Sequence, residues 1–155
     1  MRTTVRLKYK VIFFDLGDTL IKNKHWLPGT WQLVQLLFKE NVRLGVISNT
    51  GELTRKDLVT MLPDNFSWNY FEDELIILSG EVKVEKPSPE IFEQAIAKSK
   101  CDPKECLFCT ENVLDTLVAQ QLGLHTYRVQ SPPNSDTWNI PTILSDLITI
   151  FQHKL

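Results

Sequence analysis

Val11-Ile12-Phe13-Phe14-Asp15-Leu16-Gly17-Asp18-Thr19-Leu20 is the stretch on which the fold turns. Its first four residues form a short, fully apolar run, as expected of a strand covered on both faces. A carboxylate follows at once, then a glycine, a second acid and a threonine. Working outward, Leu44 to Ile47 form a second apolar run that ends in the turn-formers Ser48-Asn49-Thr50-Gly51. Leu75 to Leu78, Glu105 to Cys109 and Leu124 to Val129 supply three more strands. Between them lie stretches of helical spacing: Trp31, Leu33, Val34, Leu37 and Phe38, then Pro89 to about Lys98, then Leu114, Leu117, Val118, Gln121 and Leu122.

Several boundaries carry their own signals. Ser88 is placed as an N-cap with Pro89 at the first helical position. Gly123 ends the helix before the fifth strand. A further helix is expected over Glu52 to Leu62, stopping at Pro63. Asn65 to Glu74 reads as a loop, Ser79-Gly80 as a turn, and Ile140, Ile143, Leu144, Leu147, Ile148 and Phe151 as one face of a last helix. Strands alternating with helices predict a doubly wound α/β domain spanning residues 1–155, with a mainly parallel five-stranded sheet and helices on both faces.

In such open sheets the ligand site lies beyond the carboxyl ends of the strands. Asp15, Gly17 and Asp18 follow the first strand, Ser48 and Asn49 the second, Lys86 lies beyond the third, and Thr110, Glu111 and Asp115 follow the fourth. Taken singly, each has a plain structural reading: a turn cap, a loop residue, a solvated lysine, acids favoured at a helix N-terminus. Together they have a chemical logic. A carboxylate can attack phosphorus to give an acyl phosphate. Facing carboxylates repel unless a hard cation such as Mg²⁺ lies between them. A hydroxyl and an ammonium can hold the oxygens of a transferring phosphoryl group.

The sequence resembles the haloacid dehalogenase (HAD) superfamily. Phe13 to Leu20 is similar to its first motif, hhhDxDGT; Val46-Ile47-Ser48-Asn49 to the second; Glu85-Lys86-Pro87-Ser88-Pro89-Glu90-Ile91-Phe92 to the KPxPxIF form of the third; and Leu107 to Gly123 to the fourth. The resemblance implies a Mg²⁺-dependent phosphohydrolase. In it Asp15 is nucleophile and metal ligand, the Gly17 carbonyl a second ligand, and Glu111 or Asp115 completes the metal site. Ser48 and Asn49 meet the phosphorylated substrate, and Lys86 steadies both nucleophile and phosphate.

Two positions depart from the family pattern. The acid two residues after the nucleophile, which serves as general acid and base, is Gly17 here, and Asp18 stands one place later. General acid–base catalysis contributes typically about 10²–10⁴-fold, so three routes stay open. Asp18 takes the role through an altered turn; another group such as His25 supplies the proton; or the chemistry needs none or is absent. In the fourth motif Thr110 occupies the place of the first acid, with Glu111 one position off. A non-catalytic HAD-like binding module or subunit is therefore the alternative.

The intervals Thr19 to Ser48 and Ser48 to Lys86 are too short for a folded cap. The resemblance then implies an open site that takes large, even macromolecular, substrates or is covered by a partner subunit or a second copy. Trp26, Trp68 and Tyr70 fall in loops near it and read either as core packing or as part of such a partner surface. A net charge of −2 generates no field favouring nucleic acid or an anionic membrane. Cys101, Cys106 and Cys109 lack the companions for a tetrahedral metal site and read as reduced thiols. Basic residues precede Val11, but Val11 to Phe14 is too short for a signal-peptide core, so a cytoplasmic location is expected.

Overall fold

Strand β1 (Val11–Phe14) is the middle strand of a five-stranded parallel sheet, seen in a computed structural model that describes residues 9–129. Its alternate side chains divide the molecule. Ile12 and Phe14 join a core cluster on one face, and Val11 and Phe13 join a second cluster on the other. This is why the run has no polar position: every residue of β1 is buried.

From β1 the chain makes a small hairpin, β2 (Ile21–Lys22) and β3 (His25–Trp26), then helix α1 (Thr30–Lys39) and strand β4 (Arg43–Ser48). After β4 come a 3₁₀ turn at Asp57–Met61 and two more at Trp68–Tyr70 and Asp73–Leu75, then β5 (Ile76–Leu78) and the one-turn helix α2 (Ser79–Val82). Helix α3 (Pro89–Ser99), β6 (Cys106–Thr110), α4 (Val113–Gln121) and β7 (His125–Arg128) complete the described chain. The sheet order is β5-β4-β1-β6-β7, all neighbours parallel. Leu33, Val34 and Leu37 of α1 pack on one face. Ile91, Phe92 and Ala95 of α3 and Ala119 of α4 pack on the other. The expected α/β sheet with helices on both faces is therefore present, and its strand order is one that sequence could not specify.

Three local expectations are corrected. Glu52 to Leu62 is not a helix; only Asp57–Met61 coils, as 3₁₀. The Asp57 carboxylate accepts from both the N–H and the hydroxyl of Thr54 (3.0 and 2.9 Å), a local arrangement that competes with helical bonding. Ser79-Gly80 opens α2 instead of a turn. The predicted loop after the first motif contains the β2–β3 hairpin, whose central residues Asn23 and Lys24 both have positive φ (50° and 65°), as a tight two-residue hairpin turn demands. Ser88 stands at the N-cap of α3, although its side chain makes no capping hydrogen bond. The last predicted helix, Ile140 to Phe151, lies outside the described residues.

Trp26, Trp68 and Tyr70 pack against the core on the α1 side. Trp26 stacks on Phe66 at 5.3 Å between ring centroids, and Phe66 meets Trp68 edge-on at 4.9 Å. These loop aromatics are thus spent largely inside the fold. No helix of the described residues is long and apolar enough to cross a membrane.

Gly45 of β4 lies opposite Phe13 of β1, and the Phe13 ring occupies the place a side chain would take. A Cβ added at Gly45 would stand 2.6 Å from Phe13 Cδ1 and 2.7 Å from the Leu75 carbonyl oxygen. Gly45→Ala is expected to destabilise the fold by about 1–3 kcal/mol, read as a lower urea midpoint at unchanged m-value.

Candidate active site

The carboxyl ends of β1, β4 and β6 converge, and the residues just past them meet there. Asp15 is the first residue after β1 and is buried. Its Oδ1 accepts from the Leu16 N–H at 2.8 Å. Its Oδ2 accepts from Lys86 Nζ at 2.7 Å and from the Thr110 hydroxyl at 3.3 Å. The Thr110 hydroxyl thus supplies Asp15 with a donor, where a carboxylate at this position would have repelled it.

Lys86 is deeply buried, its side chain 2% exposed. Its ammonium also lies 3.1 Å from Asp115 Oδ2 and 5.4 Å from the centroid of the Phe108 ring. A buried ammonium is tolerated only when paired and hydrogen-bonded, and two carboxylates meet that need. The backbone of Lys86 is held as tightly. Asn49 Nδ2 donates to the Lys86 carbonyl and Asn49 Oδ1 accepts from the Lys86 N–H, both at 2.8 Å. Asn49, expected to contact substrate, has both ends of its amide engaged in placing Lys86.

Asp115 is brought in by its own helix. The Asn112 side chain caps α4 by accepting from the Asp115 N–H at 3.1 Å. With Asp115, Thr116 and Ala119 facing inward, Leu114 and Leu117 are turned out and stand 54% and 50% exposed. Of the apolar residues that mark this helix in the sequence, Val118 and Leu122 pack against the core and Leu114 and Leu117 do not.

Gly17, Asp18, Ser48 and Asn49 line a cavity of about 690 Å³, within the size range of small-molecule sites. Asp18 is exposed and left-handed (φ 57°), its N–H bonded to the Ile21 carbonyl at 2.9 Å. It lines the cavity one residue further round the turn than Gly17. His25 is exposed on β3 and is absent from the cavity wall. Glu111 is half-buried, and its N–H donates to the Thr19 hydroxyl at 3.3 Å. Its carboxyl is pushed above the ordinary value, first by burial and then by the negative charges of Asp18 and Asp15.

Asp15 and Asp115 share the Lys86 ammonium, and the negative charges of Asp18, Asp15 and Asp115 all bear on Glu111. Among the described residues no three His, Cys, Asp or Glu side chains are gathered closely enough to hold a metal ion unaided. That donor set nonetheless fits Mg²⁺, which binds through one or two carboxylates, keeps several waters and takes the rest of its shell from substrate oxygens. Excess negative charge at an all-oxygen site is what a hard cation would neutralise.

Two outcomes follow from this electrostatic arrangement. Lys86→Met would leave Asp15 and Asp115 buried without their cation, and is expected to lower unfolding free energy by about 3–5 kcal/mol in urea titration. Because Glu111 binds its proton more tightly in the folded state, stability falls as pH rises from its ordinary value through its raised one. Glu111→Gln should therefore raise the Tm of metal-free protein at about pH 7, with the gain vanishing below about pH 4, as followed by thermal melts across pH.

A family model described as haloacid dehalogenase-like hydrolase matches residues 6–129. Over 111 residues the chain is 36% identical to the rhythmically expressed gene 2 protein of Drosophila melanogaster, an alignment covering 65% of this chain and 40% of that protein. Over 121 residues it is 29% identical to the bifunctional riboflavin kinase/FMN phosphatase of Arabidopsis thaliana, covering 78% of this chain and 31% of that one. The chain thus spans less than half the length of these curated relatives. In fold it is similar to a HAD-superfamily hydrolase from Ehrlichia chaffeensis (TM-score 0.74, 18% identity, 94% of this chain and 99% of that one). It is also similar to a HAD-family enzyme from Bacteroides thetaiotaomicron in complex with magnesium and inorganic phosphate (TM-score 0.59, 21% identity, 81% and 96%). With its sheet, its strand-end residues and a match over most of its length in agreement, the chain belongs to the haloacid dehalogenase-like hydrolase family.

Proposed function

We propose that this protein is a Mg²⁺-dependent phosphohydrolase that works through an aspartyl-phosphate on Asp15. The observation that carries this reading is the seating of Asp15. Its carboxylate is fixed at the end of the central strand by Leu16, Lys86 and Thr110, beside the Gly17 and Ser48 that line the cavity. Of the relatives, the Arabidopsis protein is named as an FMN phosphatase and the Bacteroides enzyme was crystallised with magnesium and phosphate, which supports the same class of chemistry.

In this mechanism Asp15 attacks phosphorus and the leaving oxygen departs; water then releases phosphate from Asp15. Lys86 holds the attacking carboxylate in one orientation through its 2.7 Å contact with Oδ2. The Ser48 hydroxyl donates to a phosphoryl oxygen. Asn49 acts as a positioning residue, through the backbone of Lys86. Asp15, the Gly17 carbonyl and Asp115 or Glu111 are the groups that would hold Mg²⁺. When bound, the ion supplies positive charge that relieves repulsion between carboxylates and phosphoryl oxygens.

A second reading, a HAD-fold module that binds without turning over, is favoured by Gly17 and by the Thr110 hydroxyl in the place of an acid. Assay of purified protein with acetyl phosphate, in Mg²⁺ and in EDTA, separates the two. The phosphohydrolase reading expects Mg²⁺-dependent phosphate release that Asp15→Asn abolishes while leaving the fold intact by circular dichroism. Folded wild-type protein no faster than Asp15→Asn would establish the second.

A further inference from the structure

The cavity lined by Gly17, close in the chain to Asp15, and by Ser48, at the end of β4, has a lining of two chemistries. One is polar and carries the site residues Gly17, Asp18, Ser48 and Asn49. The other is hydrocarbon: Ile21 of the hairpin, Leu53, and Leu58, Met61 and Leu62 of the segment between β4 and β5. Leu58 and Leu62 are built into the core cluster, so this wall is rigidly backed, while Met61 stands 55% exposed at its edge. Apolar surface placed beside a phosphoryl site contributes nothing to holding phosphate itself. It favours the rest of a substrate when that part is apolar, since each Å² removed from water contributes about 25 cal/mol.

Among the described residues, the titratable groups that line the cavity are Asp18, Lys22 and Lys24, with no histidine, cysteine or tyrosine. At Gly17, the position from which the family's acid would reach the leaving oxygen, a Cβ would meet nothing within 4 Å. Packing against a Cβ therefore does not by itself require glycine at this position. The Asp18 backbone is committed to the turn through Ile21.

On the reading of Asp15 as phosphoryl acceptor, we infer that the substrate is a phosphorylated compound with an apolar body whose leaving oxygen departs as a stable anion: an aryl phosphate, or an acyl phosphate of a hydrocarbon acid. Asp15 forms a bond to phosphorus as the bond from phosphorus to the leaving oxygen breaks. The electron pair leaves with that oxygen as phenolate or carboxylate, and no proton has to be supplied. Water then attacks phosphorus, the Asp15 carboxylate is expelled with its electron pair, and the proton of the water passes to phosphate or solvent. Selectivity thus has two separable sources, the missing acid at Gly17 and the hydrocarbon wall at Met61.

The test uses 1-naphthyl phosphate, acetyl phosphate and glycerol 3-phosphate with wild type, Gly17→Asp and Met61→Glu. Wild type is expected to hydrolyse the first two and to be slow on glycerol 3-phosphate. Gly17→Asp should raise kcat/KM for glycerol 3-phosphate by about 10²-fold or more while changing naphthyl phosphate far less. Met61→Glu should raise KM for naphthyl phosphate about tenfold more than it raises KM for acetyl phosphate. Wild-type turnover of glycerol 3-phosphate as fast as naphthyl phosphate, or a Met61→Glu effect equal on both good substrates, would overturn the inference while leaving Asp15 as nucleophile. No turnover of any of the three by folded wild type would remove the phosphohydrolase reading and the inference with it.

Discussion

A lysine ammonium at the centre of a protein needs its partners in place, and much of this molecule can be understood from that requirement. Lys86 reaches the ends of β1 and β6, where Asp15 and Asp115 receive it at 2.7 and 3.1 Å. Neither carboxylate is free to drift, because an unpaired charge there would cost several kcal/mol. Asn49 at the end of β4 clamps the Lys86 backbone, and Asn112 sets the start of α4 so that Asp115 faces inward. The charges at this end of the sheet are therefore arranged by a few hydrogen-bonded caps and clamps, while the hydrophobic clusters on either face hold the strands that carry them.

The same requirement explains features that look anomalous by hydropathy. Helix α4 presents Asp115 and Thr116 to the interior and Leu114 and Leu117 to solvent, the reverse of ordinary amphipathic placement. The site dictates the rotation of the helix, and the leucines follow. Thr110 is likewise fully buried among charged groups, because its hydroxyl supplies Asp15 with one more donor. An acid in its place would have added a further negative charge beside Asp15, Glu111 and Asp115.

Much of the candidate site was legible because the strand-end rule converts linear order into proximity. Asp15, Ser48, Lys86 and Asp115 are far apart in sequence, yet the first two follow apolar runs, Lys86 precedes a proline-marked helix start and Asp115 lies in the first turn of the helix after β6; a parallel sheet gathers such positions at one edge. Other features were hidden for identifiable reasons. The hairpin over Ile21 to Trp26 was missed because its turn is Asn23-Lys24, which lacks the glycine that usually announces one. The segment Glu52 to Leu62 has helical spacing, but side-chain bonds between Thr54 and Asp57 divert it. Asn49 was expected at the substrate from the motif resemblance; only the structure shows both ends of its amide engaged by the Lys86 backbone.

By itself the sequence determined the alternation of strands and helices, the burial of β1 on both faces, the identity of the strand-end residues and the absence of an acid at Gly17. These depend on periodicity and residue type, which are local. Only the tertiary structure decided the strand order, the pairing of one ammonium with two carboxylates, the outward turn of the α4 leucines and the hydrocarbon side chains that share a cavity with Ser48. Those depend on which surfaces meet. Leu58 and Lys86 carry no mark of their neighbours until the sheet has brought them together.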